Sequence, residues 1–256
     1  MSESTLSITY SDLQKAVGHY LGYGRDSTAW DTSMQADIDD AIVSGLRQFY
    51  YPPPLSDDLV GHVWSFLRPA ATIDLTADTG EYDLPDDYQS IEGGMTFSTS
   101  ETHTVVKTGE ERIRQLRQAD SSTGKPQQFA IRAKTSDGST GQRSEVIFWP
   151  VPDASMTLKY SYNVLPNALS DLKPNPLGGM SHAETIKESC LACAEQLNED
   201  SLGIHTNLFM QKLAASVAVD RKAGDEGFLG SMNQPDEDSS PGIRRGMAIF
   251  INGDEV

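Results

Sequence analysis

The sequence predicts an α+β protein: a helical bundle made from N- and C-terminal helices, an antiparallel β-domain inserted between them, and an extended C-terminal arm. Three observations predict it. Apolar residues recur at helical spacing near both ends of the 256-residue chain. Between about residues 61 and 166, short segments rich in β-branched and aromatic residues alternate with turn chemistry. After Gly224 the chain becomes polar, acidic and rich in Gly and Pro, a composition that cannot bury a core by itself. The expected divisions are 1–58 for the first helices, 59–169 for the β-rich insert, 170–224 for the returning helices and 225–256 for the arm.

Ser11 or Asp12 is placed to cap the first helix, whose apolar face is Leu13, Val17, Tyr20 and Leu21. Gly22 and Gly24 stop it. A second helix is expected over about 32–51. Its stripe is Met34, Ile38, Ala41, Ile42, Gly45, Leu46 and Phe49, with Asp37, Asp39 and Asp40 mostly off it. Three consecutive prolines, Pro52 to Pro54, end it. Strand candidates lie in WSFLRPAATIDLT, GEYDLP, IEGGMTFST, THTVVKT and QQFAIRAK, with the helical piece EERIRQLRQAD among them.

The stretch VIFWPVPDASMTLKYSYNVLP, from Val146, reads as two strands joined by a turn, a hairpin. In its second half Met156, Leu158, Tyr160, Tyr162 and Val164 alternate with Thr157, Lys159, Ser161 and Asn163, the pattern of a half-buried strand. The linker 170–181 leads to a helix over about 182–200, with Ile186, Cys190, Cys193, Ala194 and Leu197 as its stripe and Ser181 and Glu184 as a capping box. A last helix, about 205–222, carries Leu208, Phe209, Leu213, Ala214 and Val217. The segment GMAIFING (246–253) is a lone strand-like piece that needs a sheet edge, its own or another subunit's.

With 20 Lys and Arg against 37 Asp and Glu, the formal net charge is −17. That excess argues against a generic phosphate-gripping surface, since nucleic-acid affinity rests on cationic side chains displacing counterions. No apolar run is long enough for a membrane span, and the N-terminus lacks the basic start and apolar core of a signal peptide. Two cysteines cannot make a disulfide framework, so a reducing compartment is expected.

Chemistry-bearing motifs fail on spacing. In STGKPQ, Ala119 stands where a phosphate loop needs its first Gly, and Pro126 stands where it needs Ser or Thr. Cys190 and Cys193 form a single CxxC in mid-helix, away from the helix N-terminus that would activate a thiol, and no second ligand pair completes a zinc site. His182 and Glu184 give HxE without the PCxxC that a zinc deaminase requires. Asp86 and Asp87 fit a turn after Pro85, and Asp236, Glu237 and Asp238 fit a solvated charge run. GYGRDS (22–27) follows a helix instead of opening one, so it is a poor phosphate cradle. Neither catalytic residue, metal nor cofactor is expected. Arg112, Arg114 and Arg117 form a local basic patch, with Lys134 and Arg143 candidates to lie nearby. The patch is either a solvated helix face or a contact for DNA or an acidic neighbour.

The order of pieces is distinctive. YSDLQKAVGHYLGYG and DIDDAIVSGLRQFYYP come first, then WSFLRP, YDLPDDYQSI, STGKPQQFAIR and IFWPVPDASMTLKYSYNVLPNALSD. AETIKESCLACAEQLNED and HTNLFMQKLAASVAVDRKAGD close the series. Together they resemble the head-to-tail adaptor (connector, or head-completion) proteins of tailed bacteriophages over roughly residues 10–224. The resemblance implies a structural virion protein at the capsid vertex or neck, without catalysis. It implies a ring, expected to be dodecameric, that joins the portal protein to tail or neck proteins. The genome would pass through its channel without specific binding. Assembly contacts are expected in the arm, at Ile243, Arg244, Arg245, Met247, Ile249, Phe250 and Ile251, and in the N-terminal helices. The competing expectations are a ligand- or carbohydrate-binding β-module flanked by helices, and a hydrolase built on scattered carboxylates.

Overall fold

In the computed structural model the described residues are 3–55, 61–91, 93–99, 101, 103–139, 141–199, 201–224, 250–251 and 254–255. Among the described residues the fold is mixed α+β, with five α-helices and a large, nearly closed sheet. The helices are α1 (Tyr10–Tyr20), α2 (Thr32–Tyr50), α3 (Glu110–Ala119), α4 (Ala183–Glu199) and α5 (Ile204–Gly224). The main strands are β1 (Ala70–Leu75), β2 (Glu81–Asp83), β3 (Tyr88–Ile91), β4 (Met95–Phe97), β5 (Thr104–Lys107), β6 (Gln128–Ala133), β7 (Ser144–Trp149) and β8 (Met156–Val164).

Helix α1 starts two residues earlier than Ser11 as cap would set it. Thr9 is the cap. Its hydroxyl accepts the Asp12 N–H, and the Asp12 carboxylate accepts the Thr9 N–H at 3.1 Å, a reciprocal box that satisfies two orphan donors. Asp31 caps α2 by accepting the Met34 N–H at 2.8 Å. The α4 box does not form. Ser181 lies inside a 3-10 turn, Met180–His182, that runs straight into the helix, and Glu184 meets Lys212 instead.

Helices α1, α2, α4 and α5 bury one core: Leu13, Val17, Ile38, Ile42, Leu46, Phe49, Ile186, Cys190, Phe209, Leu213 and Val217. The α2 stripe read from the sequence is therefore the buried face. Gly45 sits where α2 meets α4. A Cβ there would lie 2.5 Å from the Cys190 Cα and 2.7 Å from its N, inside any real contact distance. The two helices thus approach backbone to backbone, and the Ser189 hydroxyl donates across the gap to the Gly45 carbonyl at 2.8 Å. Helix α4 is buried nearly all round from Ala183 to Glu195, but its last turn is not. Leu197, expected in the stripe, is 61% exposed, because the apolar periodicity outruns the neighbours that could cover it.

The sheet runs β1–β8–β4–β5–β6–β7–β2, with β3 following β4 along the second edge of β8. Its two edge strands, β1 and β2, are consecutive in the chain, so a short turn joins opposite ends of the sheet and the sheet curls. Tyr82 pins that turn: its hydroxyl accepts the Thr76 N–H at 2.8 Å and lies 2.9 Å from the Thr79 carbonyl. Inside lie Ile73, Leu75, Leu84, Ile91, Met95, Val105, Phe129, Val146, Phe148, Leu158, Tyr160 and Tyr162. On the outer face Ile113 of α3 packs on Ala130 and Ile147.

Two expectations change here. The sheet is not wholly antiparallel, since β5 and β6 pair in parallel, Val106 opposite Gln128. Helix α3 is the crossover that parallel neighbours require. Nor does VIFWPVPDASMTLKYSYNV form a hairpin. β7 pairs with β6 and β2, whereas β8 pairs with β1, β3 and β4. Pro150 and Pro152 remove two ladder donors within three residues, so no ladder grows between the two strands. Val151 bridges Thr123, and the Pro152 carbonyl accepts the Asp78 N–H at 2.8 Å. The alternation in β8 holds apart from Asn163, which is buried. It accepts from Arg68 at 3.1 Å and donates to the Ser90 hydroxyl at 2.7 Å.

A direct check uses the α2–α4 approach. Gly45→Val should cost about 2–4 kcal/mol in urea unfolding, because backbone cannot yield as a flexible side chain does. Gly124→Ala, where the nearest foreign atom would be 3.8 Å away, should shift stability by less than about 0.5 kcal/mol. Equal midpoints for the two variants would contradict the packing described.

Candidate assembly surface

The helices and the sheet meet through a small set of polar and aromatic struts. Asp220, near the end of α5, is buried. It accepts the Ser65 N–H at 3.0 Å and the Ser65 hydroxyl at 2.6 Å, and it lies 2.7 Å from His62 Nε2. Burial pushes the Asp220 carboxyl up, but the hydrogen bonds from Ser65 and His62 outweigh it and hold the group below the usual carboxylate range. Ser65 belongs to the 3-10 turn Ser65–Leu67 that leads into β1, so this contact fixes where the sheet starts relative to α5. Beside it Trp64 donates its indole N–H to the Phe49 carbonyl at 2.8 Å and packs with Phe49, Phe66, His62 and His182. His182 is 4% exposed and burial lowers its pKa, so the ring is held neutral.

At the other end of α5, Glu195 of α4 does the work of a cap. Its carboxylate accepts the N–H groups of Gly203, His205 and Thr206 at 3.1–3.3 Å. Glu188 lies 2.8 Å from His205 and 3.0 Å from Lys212. Burial raises the Glu188 carboxyl, yet hydrogen bonds from His205 and Lys212 bring it below its ordinary value. Tyr20 reaches the same corner, donating to Glu199 at 3.1 Å. Burial and that carboxylate push the Tyr20 phenol up to about 12. Around this rigid corner three apolar side chains face solvent: Leu197 (61% exposed), Leu202 (73%) and Ile204 (72%). Leu202 and Ile204 are two residues apart at the start of α5, and Leu197 lies in the last turn of α4. The sequence carried a signal for them, since Leu202 and Ile204 flank Gly203 at the junction of α4 and α5, where the helical stripes end.

The residues singled out from sequence fall in different places. Arg117 lies within the fold. It donates to the Gly80 and Phe148 carbonyls at 2.8 and 2.9 Å and to Glu81 at 3.1 Å, fastening α3 to the sheet edge. Arg114 is exposed and lies 3.9 Å from Glu110, one turn away; Arg112 is exposed. Lys134 pairs with Asp83 at 2.7 Å and Arg143 with Asp86 at 2.9 Å, so acids of the 81–86 region neutralise much of the nearby cationic charge. Ile243, Arg244, Arg245, Met247 and Ile249 lie outside the described residues, as does the 236–238 charge run. Phe250 and Ile251 form β9, which pairs with β10 (Asp254–Glu255) and not with the main sheet.

The motifs with chemical potential are structurally occupied. Cys190 is fully buried, its thiol pushed up by desolvation and directed at the Ile42 carbonyl; Cys193 lies 3.3 Å from Gln48. Lys125 pairs with Glu101 at 2.6 Å, and the Gly124 N–H donates to the Val151 carbonyl. Asp87 accepts the Tyr162 hydroxyl at 3.1 Å. Among the described residues, no three His, Cys, Asp or Glu side chains converge to hold a metal, and no helix is long and apolar enough to cross a membrane.

Helices and curled sheet meet at the Asp220 and Trp64 contacts, and exposed apolar side chains stand where α4 gives way to α5. The sequence matches the model of the SU10 adaptor protein family over residues 8–237, nearly the whole chain. The chain belongs to that family and is a phage structural adaptor. A search of curated proteins found no match.

The Asp220 joint and the His182 cluster make two expectations. Asp220→Asn should lower stability by about 2–3 kcal/mol, the scale of hydrogen bonds to a buried charge. His182 has a depressed pKa in the fold, so its contribution is complete above the unfolded value of about 6.5 and declines as pH falls below it. Between pH 7.5 and 5.5 the wild type should therefore lose more thermal stability than His182→Phe, followed by scanning calorimetry. A steeper loss in the variant would contradict a neutral buried imidazole.

Proposed function

We propose that this adaptor assembles as a ring, dodecameric in the expected form, that joins the portal protein to the tail or neck and extends the channel through which the genome passes. The observation that carries the reading is membership of the SU10 adaptor protein family over residues 8–237. Several physical features support it. A net charge of −17 gives a channel wall that repels the exiting genome instead of holding it. The exposed corner of Leu197, Leu202 and Ile204 supplies apolar area for a heterologous contact, the kind that closes a ring. The arm beyond Gly224 offers a second contact, with Ile243, Arg244, Arg245, Met247, Ile249, Phe250 and Ile251 as its gripping residues. Residues 59–169 act in this reading as a module inserted between the two halves of the helical body.

The alternative of a carbohydrate-binding sheet loses ground on one observation. Such a site displays aromatic residues on an open face, whereas Phe129, Phe148, Tyr160 and Tyr162 turn into the sheet's own core.

Light scattering on the chain mixed with portal rings tests the reading. Removal of residues 242–256 should weaken the complex while leaving the thermal transition nearly unchanged. Leu197→Ser with Leu202→Ser should weaken subunit association about tenfold or more, at unaltered fold. Full assembly by both variants would remove the arm and the corner from the interface.

A further inference from the structure

A groove of about 500 Å³ opens between the N-terminal segment, α1 and the start of α4. Lys15, Arg25 and Lys187 line it, and among the described residues none of the three makes an ion pair. The two acids on its wall are already engaged: Asp12 in the Thr9 capping box and Glu184 with Lys212 at 3.1 Å. A chain of net charge −17 has 17 more acids than bases, so three unpaired cations on one groove run against its composition. The groove has a second anomaly. Ser7 is 8% exposed, and its hydroxyl is buried with no hydrogen-bond partner. A buried hydroxyl without a partner is an unmet polar group. Leu6 beside it is 73% exposed, so an apolar lip flanks the cations.

We infer that this groove docks the acidic run Asp236–Asp238 of the chain's own C-terminal arm. Charge complementarity selects the occupant: three carboxylates in a row meet three unpaired cations. Reach permits it. Helix α5 passes the start of α4 at Ser216, eight residues before it ends at Gly224: the Thr185 hydroxyl is 2.6 Å from that of Ser216, and the turn Met180–His182 packs on α5. From Gly224 to Asp236 the chain spans up to about 40 Å when extended, enough to cross to the groove. Tethering favours the chain's own run over a free acidic peptide, because the linker fixes a high effective concentration. The free subunit thereby holds its arm until a partner offers a stronger site. This inference concerns the isolated chain and does not depend on ring formation or on the portal.

Zero-length carbodiimide coupling of the purified full chain tests it, since the reagent joins a Lys amine only to a carboxylate in contact with it. Mass spectrometry should find Lys15 or Lys187 joined to a carboxylate within 236–238. In an equal mixture of light and ¹⁵N-labelled chains, the joined peptides should carry one isotope only. The product should be lost at about 1 M salt, where screening acts within about 3 Å, and lost in Asp236→Asn/Glu237→Gln/Asp238→Asn. Arg25→Glu, an exposed change that leaves both lysines in place, should reduce it with no shift in the thermal transition. Absence of the product in the wild type at low salt would overturn the inference, as would mixed-isotope pairs, which assign the groove to a neighbour's arm.

Discussion

The backbone contact of α2 with α4 at Gly45 and Cys190 is the constraint on which the rest depends. These residues are 145 positions apart, and everything between them must leave the helical body and return to it. A side chain at position 45 would push the helices apart and open the core shared by Leu46, Phe49, Ile186 and Phe209. Because the approach is close, α4 becomes the central helix, enclosed by α1, α2 and α5, and its buried polar residues must find partners. They do: Ser189 with the Gly45 carbonyl, Thr185 with Ser216, Glu188 with His205 and Lys212, Glu195 with the start of α5.

The sheet is held to that body at few points, and they are strong ones. Asp220 takes the Ser65 amide and hydroxyl, Trp64 fills the space against Phe49, and Tyr50 accepts the Leu177 N–H at 2.9 Å where the chain returns. The chain is therefore fastened to α2 and α5 where it enters the sheet and to α2 where it returns. A platform that must transmit position from one partner to another needs such joints, because rotation of the sheet on the helices would blur the placement of contacts on either.

Most of the helical body was legible in the sequence because its periodicity is strong. The α2 stripe, the stop at Pro52 and the buried Cys190 were all read from spacing. Leu197 escaped, since periodicity shows which residues share a face but not where the neighbouring helix ends. The strands were legible one by one, but their pairing was not. The link from Trp149 to Met156 is short enough for a hairpin, and only the positions of Pro150 and Pro152 in the ladder argue against one. The parallel β5–β6 pair follows from α3 lying between them, a crossover that could have been read. The Lys15, Arg25 and Lys187 groove was not legible, because it joins three segments spread over more than 170 residues.

Family membership makes the chain a phage structural adaptor, and its composition makes it acidic. The claim that matters most is that many copies close around the portal axis. Electron cryomicroscopy of the chain bound to its portal ring tests this most directly. The account predicts a closed collar coaxial with the portal, one helical body per subunit, with the α4–α5 corner of each against its neighbour. Single copies attached at scattered positions, or a collar in which that corner faces open solvent, would contradict it.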